Sequence, residues 1–193
     1  MNFLAHAYLS FNDPELLTGN MIADAIKTKK PTDFPEMIKK GIMLHKSIDA
    51  YTDQHILVKK TRKIFYPVIS HYAMVISDVI YDHFLGINWA KFNDMTLKDF
   101  SERTYTDLEK NNIYFPEKFA RIFPYMKNDD WFEMYSTHNG IEQTIQRLSH
   151  RSKQFIWPKE TMRIFDKQYI ELEKYFLEFF PDLENHSKFF LEQ

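Results

Sequence analysis

Apolar residues recur at three- and four-residue intervals along most of the chain, which is the signature of helices with one face in a core. Proline interrupts that pattern at positions 14, 31, 35, 67, 116, 124, 158 and 181. Asn12-Asp13-Pro14-Glu15 offers a capping carboxylate followed by proline in the first turn, and so predicts a helix from there to about Lys27. A second helix is expected from near Pro35 through GIMLHKSIDAYTDQH, and a third after Pro67 over VISHYAMVISDVIYDHFL, ending at Gly86. Thr96 to about Lys110, Pro116 to Tyr125 and Trp131 to Arg151 read as further helical stretches, and a long helix follows Pro158. No run alternates with the period of two that a half-buried strand requires. The prediction is an all-α, single-domain helical bundle over residues 1–193, without the sustained heptads of a coiled coil.

Composition narrows the class further. A chain of 193 residues buries a core without staples, and its 17% aromatic content is incompatible with disorder. The absence of cysteine excludes disulfide scaffolds, thiolate metal sites and cysteine nucleophiles. No uncharged apolar run approaches the roughly 18 residues of a membrane span, and the first residues lack the marks of a secretory signal. The expectation is a cytoplasmic protein with no membrane partner, of open oligomeric state. The net charge of −2 divides into +3 over residues 1–63 and −5 over 64–193. The basic excess lies in Lys27, Lys29 and Lys30, in Lys39-Lys40, and in Lys59, Lys60, Arg62 and Lys63. That is too little for a nucleic-acid binder, and each cluster alone reads as a solvated helix face.

The informative departure is polar groups on faces that belong to the core. At 100° per residue, Ile42, His45, Asp49, Thr52, Asp53 and Ile56 share one arc of their helix. A histidine and an aspartate one turn apart can chelate a single cation, or form one rung of a surface ion-pair ladder. HYAMVISDVIYDHFL is apolar almost all round, yet carries Asp78 and Asp82 one turn apart, followed by His83. Two carboxylates so placed repel unless a positive group or an ion compensates. His6 stands among Phe3, Leu4, Ala5, Ala7 and Leu9, and Asn20 and Asp24 are one turn apart among Met21, Ile22 and Ile26. Three helical segments thus each bring an unexpected polar group inward.

Several chemistries are absent. The four glycines form neither GxGxxG nor GxxxxGK[ST], and there is no HExxH or GxSxG motif. The His-Asp doublet of HD-type phosphohydrolases is missing, although Asp82-His83 is its reverse. The aromatic C-terminal segment, KYFLEFFPDLENHSKFFLEQ, reads as a scaffold helix.

Four ordered blocks, MNFLAHAYLS, LLTGNMIADAI, GIMLHKSIDAYTD and SDVIYDHFL, resemble the acyl carrier protein phosphodiesterase family. The resemblance implies an all-helical, distantly HD-like enzyme. It implies cleavage of the phosphodiester that joins 4′-phosphopantetheine to a serine of holo-acyl carrier protein, with a divalent metal, Mn²⁺ in preference to Mg²⁺. Carried over block by block, it draws attention to His6, Asn20, Asp24, His45, Lys46, Asp49, Asp53, Asp78, Asp82 and His83. The arrangement expected on that basis has Asp24, His45 and Asp82 holding the ion, with His6 or Asp49 completing the set. Lys46 is then expected on a phosphoryl oxygen, Asp78 or His83 aligning the ligands, and the lysine clusters receiving the acidic carrier protein. Two other readings stand beside it: an HD-like phosphohydrolase of nucleotides or small diesters, and a helical interaction module without catalysis.

Overall fold

The computed structural model describes residues 1–26, 33–151 and 158–193. The lysines at 27, 29 and 30, and the expected helix end at Lys27, lie outside the described residues. Among the described residues, ten α-helices make a single all-α domain: α1 (Phe3–Tyr8), α2 (Pro14–Ile22), α3 (Glu36–Gln54), α4 (Ile56–Ile69), α5 (Tyr72–Ile87), α6 (Leu97–Lys110), α7 (Glu117–Asn128), α8 (Trp131–Tyr135), α9 (His138–Arg151) and α10 (Pro158–Leu191). Among the described residues, no helix is long and apolar enough to cross a membrane.

The start of α2 follows from its sequence. Asp13 accepts hydrogen bonds from the N–H groups of Glu15 (2.9 Å) and Leu16 (2.8 Å), while Pro14 sits where no N–H is needed. The helix ends at Ile22, earlier than expected, in a tight 3₁₀ turn over Ala23–Ala25 that carries Asp24.

Two further boundaries differ from the sequence reading. Pro67 falls inside α4, where its missing N–H costs one bond near the helix end, and the break comes at Ser70, which has φ 48°. The stretch from Trp131 to Arg151 is divided at Ser136–Thr137, with Thr137 Oγ1 accepting from the N–H of Gly140 to start α9.

The largest packing event is α2 on α3. A Cβ on Gly19 would lie 2.0 Å from the carbonyl oxygen of Ile38, and one on Gly41 would lie 2.3 Å from that of Leu16. Only glycine admits so close an approach of two backbones, and it brings the Asn20 and His45 positions within reach of each other. Helix α10 runs 34 residues across α3, α4, α5 and α9. It seals the core with Phe176, Phe179 and Phe180, all fully buried. The aromatic C-terminal segment is therefore a scaffold, as its composition suggested.

Candidate metal centre

His6 on α1 and His45 on α3 meet as stacked rings, 4.0 Å between centroids and 16° from parallel. Both are buried, at 3% and 7% exposure. Asn20 of α2 lies between them and sets both tautomers. Its Nδ2 donates to the His6 carbonyl (2.9 Å) and to Ser10 Oγ (3.1 Å), so its Oδ1 must accept from His6 Nδ1 at 2.7 Å. The Asn20 backbone carbonyl accepts from His45 Nδ1 at 2.8 Å. With both Nδ1 atoms donating, the Nε2 atom of each neutral ring carries a lone pair. Both Nε2 atoms are buried without a hydrogen bond of acceptable geometry.

Asp49, one turn after His45, closes the set. Its Oδ1 lies 3.3 Å from His6 Nε2 and its Oδ2 lies 3.2 Å from His45 Nε2. Among the described residues, His6, His45 and Asp49 form the group whose ligand atoms lie within 4.8 Å of one another. Asp24 Oδ1 adds a further carboxylate 3.3 Å from His45 Nε2.

The charges of this group are strongly coupled. Burial, with the neighbouring His45, holds His6 down to about 4. Burial also opposes a charge on His45, but Asp24 and Asp49 outweigh it and push the imidazole up to about 9. Asp49 is driven well below the usual carboxylate range: its own burial is overcome by His45, His6 and the N-terminal ammonium. The contact with His45 likewise lowers Asp24. The two carboxylates favour a positive charge at His45 Nε2, so a proton and a metal ion would compete for that lone pair. Two imidazoles and a carboxylate, with second partners fixing the rings, fit a divalent ion with open positions.

The remaining candidates fall at graded distance. Asp78 Oδ1 is 3.4 Å from the buried N-terminal amine, which is itself 3.4 Å from Asp49 Oδ1. Burial raises the Asp78 carboxyl. Asp82 is fully buried and faces the start of α1, accepting from the N–H groups of Leu4 (2.7 Å), Asn2 (3.3 Å) and Ala5 (3.3 Å). Asn2, the residue at the capping position of α1, makes no side-chain cap, so an aspartate 80 residues away does that work. Burial lifts Asp82 to about 7 against those hydrogen bonds. His83 bonds the carbonyl of Tyr135 through Nδ1 (2.7 Å) and the Tyr169 hydroxyl through Nε2 (2.9 Å), tying α5 to α8 and α10. Lys46 is exposed on α3. Asp53 pairs with Arg62 at 2.7 Å.

Sequence reasoning gave no role to two residues that shape the site. Asn20 stands out by its spacing from Asp24 and by the family-like block it lies in, with no role attached. Arg62 was grouped with surface lysines, yet its side chain is 14% exposed and spans Asp53, Ser77 (3.1 Å) and Asp78 (3.8 Å). A cation one helical turn from both Val58 and Phe65, which are buried, was the available signal.

Residues 1–183 match the family model described as acyl carrier protein phosphodiesterase. Among curated relatives, the acyl carrier protein phosphodiesterase of Klebsiella pneumoniae subsp. pneumoniae is 30% identical over 187 residues, covering 95% of both chains. That of Yersinia pestis is 29% identical over 184 residues, again covering 95% of each, and that of Enterobacter sp. is 28% identical over 189, covering 97% of this chain and 98% of the relative. No solved structure gives a significant match.

Proposed function

The chain belongs to the acyl carrier protein phosphodiesterase family, and from that premise we propose that it hydrolyses the phosphodiester of holo-acyl carrier protein, giving the apo-protein and 4′-phosphopantetheine, with Mn²⁺ held by His6, His45 and Asp49. The observation that carries this reading is the pair of buried, tautomer-fixed Nε2 atoms converging on one carboxylate. Such atoms cost free energy unless something binds them.

A divalent ion there supplies charge neutralisation for a phosphate diester and access to a water nucleophile at neutral pH. The protein's own groups do the rest. Asn20 holds both rings with their lone pairs inward. Asp24, at the rim and lowered by His45, is ionised and orients the exposed side of the set. Arg62 and the N-terminal amine hold Asp78 beside Asp49. Asp82 and His83 fix α1 and α8, and thereby the position of His6 and the adjoining wall. Lys46, exposed one residue after His45, is free to reach a phosphoryl oxygen as a mobile point charge. Lys59 and Lys63, exposed around the depression formed with Tyr66 and Pro67, are the proposed contacts for an acidic carrier protein.

A substrate panel tests the reading. The protein with Mn²⁺ is incubated with holo-acyl carrier protein, with mono- and dinucleotides, and with bis(p-nitrophenyl) phosphate, and products are read by mass spectrometry. Loss of the phosphopantetheine mass from the carrier, at a kcat/KM well above the others, is expected. Preference for a nucleotide would replace the carrier-protein assignment while keeping the diester chemistry. No turnover of any substrate would leave the interaction module.

A further inference from the structure

A cavity of about 450 Å³ adjoins the metal centre and shares Asp24, Asp78 and Met1 with it. That volume falls within the roughly 300–1,000 Å³ of small-molecule sites. Its other walls come from α5, α8 and α9: Val75 and Val79, Trp131 and Met134, Thr144 and Leu148. None of these was singled out as a functional residue by the sequence.

We infer that this cavity receives the neutral, amide-bearing arm of the diester, the pantetheine side, while the carrier polypeptide stays outside. The inference rests on the proposed substrate, and it fixes which half of that substrate lies where. Three observations converge on it. The cavity is lined by Asp24, 3.3 Å from His45 Nε2, and by Met1, whose amine is 3.4 Å from Asp49 Oδ1, so a chain attached to a phosphate held at the centre has it as the neighbouring space. Its lining is mainly apolar and includes Trp131, whose Nε1–H is buried and has no hydrogen-bond acceptor. An amide carbonyl on the arm supplies the missing acceptor. Finally, the lining cation Arg147 already has Asp129 as a partner at 3.7 Å, so the arm needs no anionic group of its own. A folded protein surface cannot enter a space of this size, whereas an extended chain of amides and methylenes can.

The test is calorimetric titration of pantetheine, which lacks the phosphate, into the full-length protein. Val75→Trp and Thr144→Trp obstruct the cavity from wall positions that are partly solvent-exposed, so both variants should fold, which melting curves verify. Ile170→Trp, at an 83% exposed position on α10, is the control. Pantetheine should bind the wild type and the control, and bind each wall variant at least tenfold more weakly. Trp131→Phe, which removes only the donor, should weaken it by up to about tenfold. Equal binding to the wild type and both folded wall variants, or no binding to the wild type, would overturn the inference. Hydrolysis of holo-carrier protein separates the two levels. If the wild type cleaves it and the wall variants keep the wild-type KM, the arm lies elsewhere although the reaction stands. If pantetheine binds and is blocked by the wall variants but holo-carrier protein is not cleaved, the cavity assignment stands and the proposed reaction falls.

Discussion

Two clusters of buried histidine and aspartate penetrate the same helical core, and they differ in what their atoms are bonded to. Around Asp82 and His83, the carboxylate receives three backbone N–H groups and both imidazole nitrogens have partners. Around His6 and His45, both Nδ1 atoms are bonded and both Nε2 atoms are not. Residue type is alike in the two places and the histidines are buried in both, although Asp49 is partly exposed where Asp82 is fully buried. Only the second cluster keeps coordination capacity in reserve, and that is the mark of chemistry rather than support.

Substitutions should separate the two clusters by what they change. The largest effect is expected at the centre: His45→Ala or Asp49→Ala should lower hydrolysis by more than about 100-fold, and Asp49→Ala should also lower the melting temperature, since it leaves the buried N-terminal ammonium and the two imidazoles without their carboxylate. A normal rate in either variant would merge the two clusters into one class. Asn20→Ala frees the His6 ring while keeping the backbone carbonyl that holds His45, and a loss of about 10–100-fold in activity or metal affinity is expected, with a measurable fall in stability. On the other side of the comparison, Asp82→Ala should act on stability, by about 1–3 kcal/mol in denaturant unfolding, because it leaves three buried N–H groups of α1 without acceptors. Activity should fall only as far as His6 loses its place.

Asp82→Asn sharpens this further through pH. Burial raises the Asp82 carboxyl to about 7 in the folded protein, above its usual unfolded value of about 3.9. A group raised on folding contributes its full stability below the unfolded value and loses it as pH climbs through the folded one. The wild type should therefore lose stability relative to Asp82→Asn as pH rises from about 4 through 7. A constant difference across that range would mean that Asp82 does not titrate there. The smallest effect is expected at the surface. Lys59→Glu, Lys60→Glu and Lys63→Glu together should raise KM for the carrier protein several-fold and flatten its salt dependence, with kcat little changed. An unchanged KM across salt would leave these lysines as solvated surface.

How much of this was legible depended on whether the determining contact was local. Most of the helices and the start of α2 were, because periodicity and the Asp13-Pro14 cap act within a few residues, whereas α4 over Ile56–Ile69 was not assigned. The inward polar groups on α1, α2, α3 and α5 were also visible, because an apolar context is read from neighbours. Which of them converge was not. Asp82 and His45 look equivalent in sequence, and only packing across 80 residues turns Asp82 to the α1 N–H groups. The role of Asn20 depends on the Gly19–Gly41 crossing, where two unremarkable glycines let α2 and α3 meet. Pro67 was misleading for a simpler reason: it lies in the last turn of α4, where the lost backbone bond is borne by the packed helix, so it did not start a helix as expected. The cavity behind the centre was illegible, since its walls take three side chains from each of α5, α8 and α9, helices brought together only by tertiary packing.

The most direct test is a calorimetric titration of Mn²⁺ into the wild type, Asp49→Ala and Asp82→Asn. The account predicts binding to the wild type and to Asp82→Asn with similar affinity, and loss of binding in Asp49→Ala. Wild-type affinity in Asp49→Ala, or loss confined to Asp82→Asn, would contradict it by placing the ion at the cluster assigned here to support.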